Sequence, residues 1–467
     1  MVFTSHIFLF YFLPFVLIVY YVLPFRFRNG FLTLASYFFY GWWMPWFVLL
    51  MMTSTVVDFF CARAISAEGA KRRHRVAALT ASIVVNLGLL GFFKYYMFAM
   101  TNLNQLCELV GADAFGVLNV VLPIGISFYT FQTMSYTIDV YRGVAPPVKS
   151  LSDFSCFVSL FPQLIAGPIV RYNTVAKQLV SRDHTLPKFS SGAALFILGF
   201  SKKILLANPM GEVADAVFAA DSLMMVDAWF GIVAYAFQIY FDFSGYSNMA
   251  IGLGRMLGFE FPKNFNAPYL ADSITDFWRR WHISLSTFLR DYLYIPLGGN
   301  RKGPVRTYVN LTVVMLLGGL WHGASWVFVA WGLYHGILLG MERFLGRRSF
   351  YNKMPRPLRI GFTFVLVLFS WVLFRSTTLA EAGSYFTALL GMADVTTAST
   401  LIAAELYTPL HFLVMAICAV LTVQPVQSFD WVGRSSWPKA LLLLLVFIFA
   451  IGEMFTQAFN PFLYFQF

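Results

Sequence analysis

Long apolar runs recur along the chain, and they constrain its fold more than any other feature. A transmembrane helix requires roughly 20 consecutive apolar residues, and runs of about this length fill most of the sequence. They lie at about 7–25, 31–60, 77–101, 115–138, 153–170, 190–207, 226–254, 309–326, 327–341, 358–376, 408–425 and 438–457. The run 31–60 is long enough for a hairpin, which we expect to break around Met44–Pro45.

The composition excludes a large water-soluble domain. Only 12% of the 467 residues are charged, about half the share of soluble domains, and a soluble surface needs charged residues to stay solvated. We therefore predict an all-α polytopic membrane protein with about 11 transmembrane helices and further re-entrant and interfacial helices. It is expected to form one integral-membrane domain over residues 1–467. The four cysteines lack the spacing of metal ligands, so no metal site is predicted.

The distribution of basic residues predicts the orientation of the chain in the membrane. The chain has a net charge of +11. In a membrane protein, such a basic excess usually lies in cytoplasmic loops that face anionic lipid, so we do not expect nucleic-acid binding. Three basic clusters are expected in the cytoplasm: Arg63, Lys71, Arg72, Arg73 and Arg75; Arg279, Arg280, Arg290, Arg301, Lys302 and Arg306; and Arg343, Arg347, Arg348, Lys353, Arg356 and Arg359. Because residues 376–431 contain no Lys or Arg, the loop 377–407 and the C-terminal tail with Asn460–Pro461 are expected outside.

Two segments combine helix breakers with small residues. In 122–132, Pro123 and Gly125 are expected to interrupt a helix start, which suits either a kinked packing helix or the lining of a site. Residues 161–168 contain two prolines and a glycine, which predicts a re-entrant or broken segment.

Polar side chains concentrate in the apolar run 226–254. Polar groups within a membrane span default to functional candidates, and five of them fall within seven residues here: Asp242, Ser244, Tyr246, Ser247 and Asn248. A single buried Asp could cap a helix, whereas the whole group favours a water-filled cavity.

The charged segment 272–306 reads as an amphipathic helix with one apolar stripe. His282 lies at the edge of the stripe, beside a polar face that carries Arg279 and Arg290. The arginines suit lipid phosphates at the membrane surface or a basic mouth for an anionic donor. Residues 298–303 form a basic turn.

His322 is an isolated imidazole in an apolar helix, between glycines that are expected to open space around it. Such a histidine is either a packed core residue or a general base toward a hydroxyl or thiol. His335 lies about 220° away around the same helix axis, so a helical hairpin must break between the two if they cooperate.

These segments resemble the membrane-bound O-acyltransferase (MBOAT) family, and most closely its bacterial branch that acetylates alginate, cellulose or peptidoglycan. The resemblance rests on residues 277–302 and 318–323, together with 122–129, 161–171 and 240–254, and it covers essentially the whole chain. It implies a funnel of helices, His322 as the catalytic residue and His282 on the cytoplasmic approach. Its implied donor is acetyl-CoA, with no bound cofactor.

The residues and the resemblance together lead to one hypothesis, acetylation of an exported polysaccharide from the bacterial inner membrane. His322 and His282 are the predicted catalytic residues, and Arg279, Arg280, Arg290 and Lys302 hold the donor. The predicted cavity lining is Asp242, Ser244, Tyr246, Trp321, Asp291 and Asn300. The expected partners are a periplasmic acetyltransferase, the polysaccharide machinery and membrane lipid. The alternatives are a transporter or channel without bond chemistry, or an MBOAT that acylates peptidoglycan, teichoic acid or a lipid.

Overall fold

The computed structural model describes residues 1–346, 353–394, 397–433, 436–457 and 462–463. Throughout these ranges the regular secondary structure is helical, which confirms the predicted all-α class. Arg347, Arg348 and the tail residues Asn460 and Pro461 lie outside the described residues. The chain divides into two compact units, Met1–Ala193 with Ala250–Pro262 and Ala194–Met249 with Lys263–Phe467. The single integral-membrane domain stays a prediction.

The helices of the first half of the chain are short to medium in length. They are α1 (Leu13–Val22), α2 (Phe25–Gly41), α3 (Phe47–Ser66), α4 (Arg72–Leu90), α5 (Tyr96–Leu109), α6 (Ile126–Tyr141), α7 (Leu151–Ser159), α8 (Phe161–Leu164), α9 (Tyr172–Val180) and α10 (Leu186–Ser201). Wider π-helical turns occur at Phe8–Phe12, Gly91–Tyr95 and Lys202–Ala207, where they join onto neighbouring helices.

The second half of the chain contains the longest helices. It continues with α11 (Asn208–Ala219), α12 (Met225–Met256), α13 (Ile274–Arg280), α14 (Ile283–Leu289), α15 (Gly303–His322), α16 (Trp326–Leu345), α17 (Arg356–Arg375), α18 (Leu379–Leu389), α19 (Thr397–Leu406), α20 (Pro409–Thr422), α21 (Ser428–Trp431) and α22 (Trp437–Thr456). A further π-helical turn, Arg290–Tyr294, follows α14.

Several helices have the dimensions of a membrane span. Among the described residues, five are long and apolar enough to cross a bilayer: Phe47–Ser66, Arg72–Leu109, Leu186–Ala219, Arg356–Arg375 and Trp437–Thr456. Two shorter apolar helices are Phe8–Val22 and Pro409–Thr422. A polytopic membrane protein is therefore supported, whereas the count of about 11 spans stays a prediction.

The predicted apolar runs match the helices in most places and fail in one. The run 31–60 breaks at residues 42–46, as expected around Met44–Pro45. The run 115–138 is wrong in its first part, because α6 begins only at Ile126. Asn104 holds the preceding segment outside any helix, since its side chain bonds both the N–H (2.8 Å) and the C=O (2.9 Å) of Phe115.

Gly125 sets the start of α6 in the first unit. Its φ of +79° is left-handed, and a Cβ there would lie 2.9 Å from the backbone oxygen of Leu164. Glycine therefore satisfies both the backbone conformation and a close contact. Leu164 ends the short α8, after which residues 165–167 form a turn, so the predicted broken segment at 161–168 is present.

A buried polar network links three helices of the first unit. Asp58 of α3 accepts hydrogen bonds from Ser82 (2.5 Å) and Asn86 (2.8 Å) of α4. Asn86 Oδ1 in turn accepts from Ser54 (2.6 Å) and from Thr133 of α6 (3.1 Å). These polar groups satisfy one another inside the helix packing, as buried polar groups must.

Candidate active site

His322 lies at the tip of a helical hairpin in the second unit. It is the last residue of α15, and Gly323 is already extended, with φ −159° and ψ 148°. The chain then returns as α16, which carries His335. This is the break that cooperation between the two histidines requires. The His322 side chain is buried, with 5% of the residue exposed.

The glycines beside His322 pack helices closely, so the expectation that they open space is wrong. A Cβ on Gly319 would lie 2.2 Å from the backbone oxygen of Phe328, and one on Gly323 would lie 2.1 Å from the Phe328 ring. Across the hairpin, a Cβ on Gly332 would lie 2.4 Å from the backbone oxygen of Met315. α15 and α16 therefore approach at a distance that only glycine permits.

Aromatic rings surround the His322 imidazole. Its centroid lies 5.0 Å from Trp321, 5.2 Å from Trp331 and 5.2 Å from Phe374. A small cavity of about 10 Å³ opens at this ring, which is about the space that one water molecule requires. Its lining consists of Ile239, Asp242, Phe243, Trp281, His322, Trp331, Trp371, Phe374 and Leu463.

A buried ion pair adjoins the cavity. The Asp242 carboxylate lies 2.7 Å from Lys203 Nζ, and both side chains are buried. Asp242 also accepts a hydrogen bond from the backbone N–H of Leu463 at 2.9 Å. Asp242 does not cap a helix, since it lies in the middle of α12. Pairing makes the burial of both charges tolerable, and it places a charged pair at the wall that His322 shares.

The other polar residues of α12 do not join Asp242 on this cavity. At about 100° per residue, Ser244 points about 200° away from Asp242 and Tyr246 about 40°. The Tyr246 ring packs on Phe462, 4.4 Å away. All of them are buried, but the described cavity lining includes Asp242 and neither Ser244 nor Tyr246.

The chain breaks at His282, and the prediction of one continuous amphipathic helix is wrong. α13 ends at Arg280, Trp281 is extended, and His282 has a left-handed φ of +42° before α14 begins. Asn264 holds this conformation, because its backbone oxygen accepts from Ile283 N (2.9 Å) and its side-chain oxygen from Ser284 N (3.2 Å). Those bonds offset the strain of a non-glycine residue in this region.

His282 is fully buried and lies close to His322 through shared neighbours. Its Nδ1 bonds Asn264 Oδ1 at 3.2 Å. Its centroid lies 6.1 Å from Trp321 and 4.8 Å from Phe243, and both of these residues also adjoin His322 or its cavity. His282 lies outside the membrane-spanning helices, and burial lowers its pKa to about 3, which keeps the ring neutral at physiological pH.

The predicted donor-binding cations occupy more accessible positions than the histidines. Arg279 and Lys302 are exposed. Arg280 pairs with Asp276 at 2.7 Å, and Arg290 with Asp291 through two contacts of 2.6 and 3.2 Å. The predicted turn at 298–303 is present. Asn300, which accepts a hydrogen bond from Tyr294, is exposed there, and neither it nor Asp291 is part of the described cavity lining.

Sequence reasoning missed two polar residues of this region. Lys203 carried a signal, because a lysine in the apolar run 190–207 is costly unless it finds a partner. Asn264 carried none, since its role depends on a backbone break that helical periodicity does not predict. Trp371 and Phe374 line the cavity. They lie in the apolar run 358–376, whose pattern predicts a membrane span and does not indicate which residues face a site.

The sequence of the chain matches a known protein family. The model of the membrane-bound O-acyltransferase family matches residues 76–380. The chain is 44% identical to a probable alginate O-acetylase AlgI of Azotobacter vinelandii, over the full length of both proteins. It is 49% identical to the protein of the same name from Pseudomonas aeruginosa, over 83% of this chain and 75% of that protein.

A more distant relative has a different named acceptor. The peptidoglycan O-acetyltransferase of Helicobacter pylori is 35% identical over 100% of this chain and 98% of that protein. The extent of these matches shows that the protein is a membrane protein and an O-acyltransferase. It belongs to the membrane-bound O-acyltransferase family.

Proposed function

We propose that this protein moves an acetyl group from cytoplasmic acetyl-CoA toward an exported polysaccharide, with alginate as the first candidate. Relatives named as probable alginate O-acetylases match the whole chain at 42–44% identity, above the 35% of the relative named for peptidoglycan. The observation that carries the chemistry is the buried His322, which faces a small cavity beside the Asp242–Lys203 ion pair.

In the proposed mechanism His322 is the general base. It accepts the proton of an acceptor hydroxyl, whose oxygen then attacks the thioester carbonyl. The new ester bond forms as the carbon–sulfur bond of acetyl-CoA breaks, and the proton passes from His322 to the leaving thiolate. The neutral His282 has the correct protonation state to assist a proton transfer. Asp242, which lines the same cavity as His322, stabilises positive charge on the His322 imidazole.

The exposed cations are proposed to hold the donor. Coenzyme A carries phosphates that arginine forks match geometrically. Arg279 and Lys302 are accessible for such contacts. Arg280 and Arg290 each pair with one carboxylate, of Asp276 and Asp291 respectively. The positive-inside rule predicts that this basic region lies on the cytoplasmic side of the inner membrane and the C-terminal tail on the periplasmic side. A periplasmic acetyltransferase is the proposed recipient of the acetyl group.

Ester analysis of exported polymers tests this function. A strain that lacks the protein is complemented with the wild type or with His322→Ala, and ester-linked acetate is measured on alginate, cellulose and peptidoglycan. The proposal predicts that wild type restores acetate on alginate and that the variant does not. Acetate restored only on peptidoglycan or cellulose would show that this polymer, and not alginate, is the acceptor. Acetate unchanged on every polymer would overturn the proposed function.

A further inference from the structure

One face of α16 contacts both His322 and the arginine-bearing helix α13. Trp331, His335 and Glu342 are separated by four and seven residues, so they lie within about 40° of one another around the helix. Trp331 packs on His322, with centroids 5.2 Å apart. The two other residues both contact α13.

His335 lies among the aromatic residues of α13. Its ring is parallel to Phe277, at 6.3 Å and an angle of 5°. Trp278 Nε1 donates to His335 Nδ1 at 3.4 Å, and Trp331 lies 4.8 Å away on the other side. His335 is fully buried. A continuous chain of ring contacts therefore runs from α13 through His335 and Trp331 to His322.

Glu342 binds the beginning of α13. Its carboxylate accepts hydrogen bonds from Ile274 N (2.5 Å), Thr275 N (3.0 Å) and Thr275 Oγ1 (2.8 Å). A carboxylate at this position satisfies backbone N–H groups that have no partner within the helix, and its charge is favourable at a helix N-terminus. One side chain of α16 thus holds the N-terminal end of α13.

We propose that Glu342 is a positioning residue that holds Arg279 and Arg280 at a set distance from His322. The inference rests on the proposed function, in which these arginines hold the acyl donor. Trp331 and Glu342 are about 16 Å apart along α16. α13 begins at the Glu342 end, and it ends at Arg280, directly before Trp281 of the cavity lining. Glu342 therefore anchors the far end of the helix whose near end carries the two arginines. Without the carboxylate, α13 keeps other attachments, because Trp278 bonds His335 at 3.4 Å and Asp272, just before the helix, pairs with Arg359 at 3.2 Å. We therefore expect α13 to shift rather than to unfold.

The test compares two glutamates with the same chemistry in different places. Glu381 accepts from Thr377 N (2.8 Å) and Thr377 Oγ1 (2.6 Å) at the start of α18, so Glu381→Gln is the matched control for Glu342→Gln. Full-length protein in nanodiscs is assayed for acetyl-CoA turnover. Hydrogen exchange of the peptide covering 272–281 is measured in the same samples.

The expected result for Glu342→Gln is a rise of about tenfold in KM for acetyl-CoA, the scale of one lost charge-assisted contact. kcat should change less than KM, exchange at 272–281 should be faster, and Glu342→Asp should recover part of the effect. Glu381→Gln should leave KM unchanged. An unchanged KM in Glu342→Gln, or an equal rise in both variants, would overturn the proposal. If the wild type consumes no acetyl-CoA, the proposed function fails instead, and unchanged exchange in Glu342→Gln would then reject the positioning role by itself.

Discussion

At the scale of single residues, the site depends on polar side chains that are buried among aromatic rings. His322, His282 and Asp242 all have less than a tenth of their surface exposed. Water cannot stabilise these groups, so protein partners set their charge and orientation. The partners of Asp242 are Lys203 and the Leu463 backbone N–H, and the partner of His282 is Asn264.

The Asp242–Lys203 pair predicts an asymmetric response to mutation. Lys203→Met leaves a buried carboxylate without its cation, which should lower the free energy of unfolding by about 3–5 kcal/mol. The double variant Lys203→Met/Asp242→Asn removes both charges and should be more stable than the single variant. Thermal unfolding in detergent measures both. Equal stability of the single and double variants would contradict the predicted cost of the unpaired buried carboxylate.

The buried His282 predicts a loss of stability in acid. Its folded pKa of about 3 lies below the value of roughly 6.5 for an unfolded histidine, so the unfolded chain takes up the proton first. The contribution is present above pH 6.5 and is lost as the pH falls toward 3. Between pH 7.5 and 5 this amounts to about 2 kcal/mol. Unfolding measured across this range should be less pH-dependent in His282→Asn, and identical profiles would contradict a neutral buried ring.

At the scale of elements, the α15–α16 hairpin determines where His322 lies. Gly319 and Gly332 bring the two helices together, and the short connection at 323–325 turns the chain immediately after the histidine. The same close packing leaves room for little more than one water molecule at the imidazole. The proposed reaction therefore requires movement of the lining side chains or helices, because acetyl-CoA, the proposed donor, is much larger than this cavity.

Adding one methyl group to the hairpin tests this packing. Gly319→Ala places a Cβ 2.2 Å from the Phe328 backbone oxygen, whereas a Cβ on Gly361 of α17 meets nothing within 4 Å. We expect Gly319→Ala to lose about 1–3 kcal/mol of stability together with most acyl-transfer activity. Gly361→Ala should be neutral or stabilising. Unfolding temperature and acetyl-CoA turnover of both variants measure the difference, and similar behaviour would contradict the close helix contact.

The sequence predicts the elements well where apolar length alone decides them. The runs 226–254, 358–376 and 438–457 match α12, α17 and α22 within a few residues, since a span requires a fixed number of apolar residues. The break at His282 could not be predicted, because it is stabilised by hydrogen bonds that Ile283 N and Ser284 N donate to Asn264, which is distant in the sequence. The apolar residues before Pro123 likewise suit a helix and an extended segment equally.

At the scale of the whole molecule, the distribution of charge predicts which ends of the helices face the cytoplasm. The positive-inside rule predicts that the turn at 298–303 lies inside and the loop 377–407 outside. That loop is partly helical, since it contains α18 and α19. Acyl transfer across a membrane requires such an orientation, with donor and acceptor on opposite sides of His322.

Labelling of introduced cysteines tests this orientation. Arg301 and Asp394 are both exposed, so Arg301→Cys and Asp394→Cys are placed in a cysteine-free background. A membrane-impermeant maleimide should label Asp394→Cys in intact spheroplasts and Arg301→Cys only after permeabilisation. The opposite pattern would invert the topology and would place the donor-binding cations outside the cell.

The central claim is that His322 is the centre of acyl transfer, and one measurement tests it most directly. Wild type, His322→Ala and the exposed control His74→Ala are purified and supplied with acetyl-CoA labelled in the acetyl group. CoA release and label transfer are followed with and without the proposed periplasmic acetyltransferase. If His322 is the catalytic base, wild type and His74→Ala turn over the donor, and a folded His322→Ala does not. Undiminished turnover by His322→Ala would contradict it.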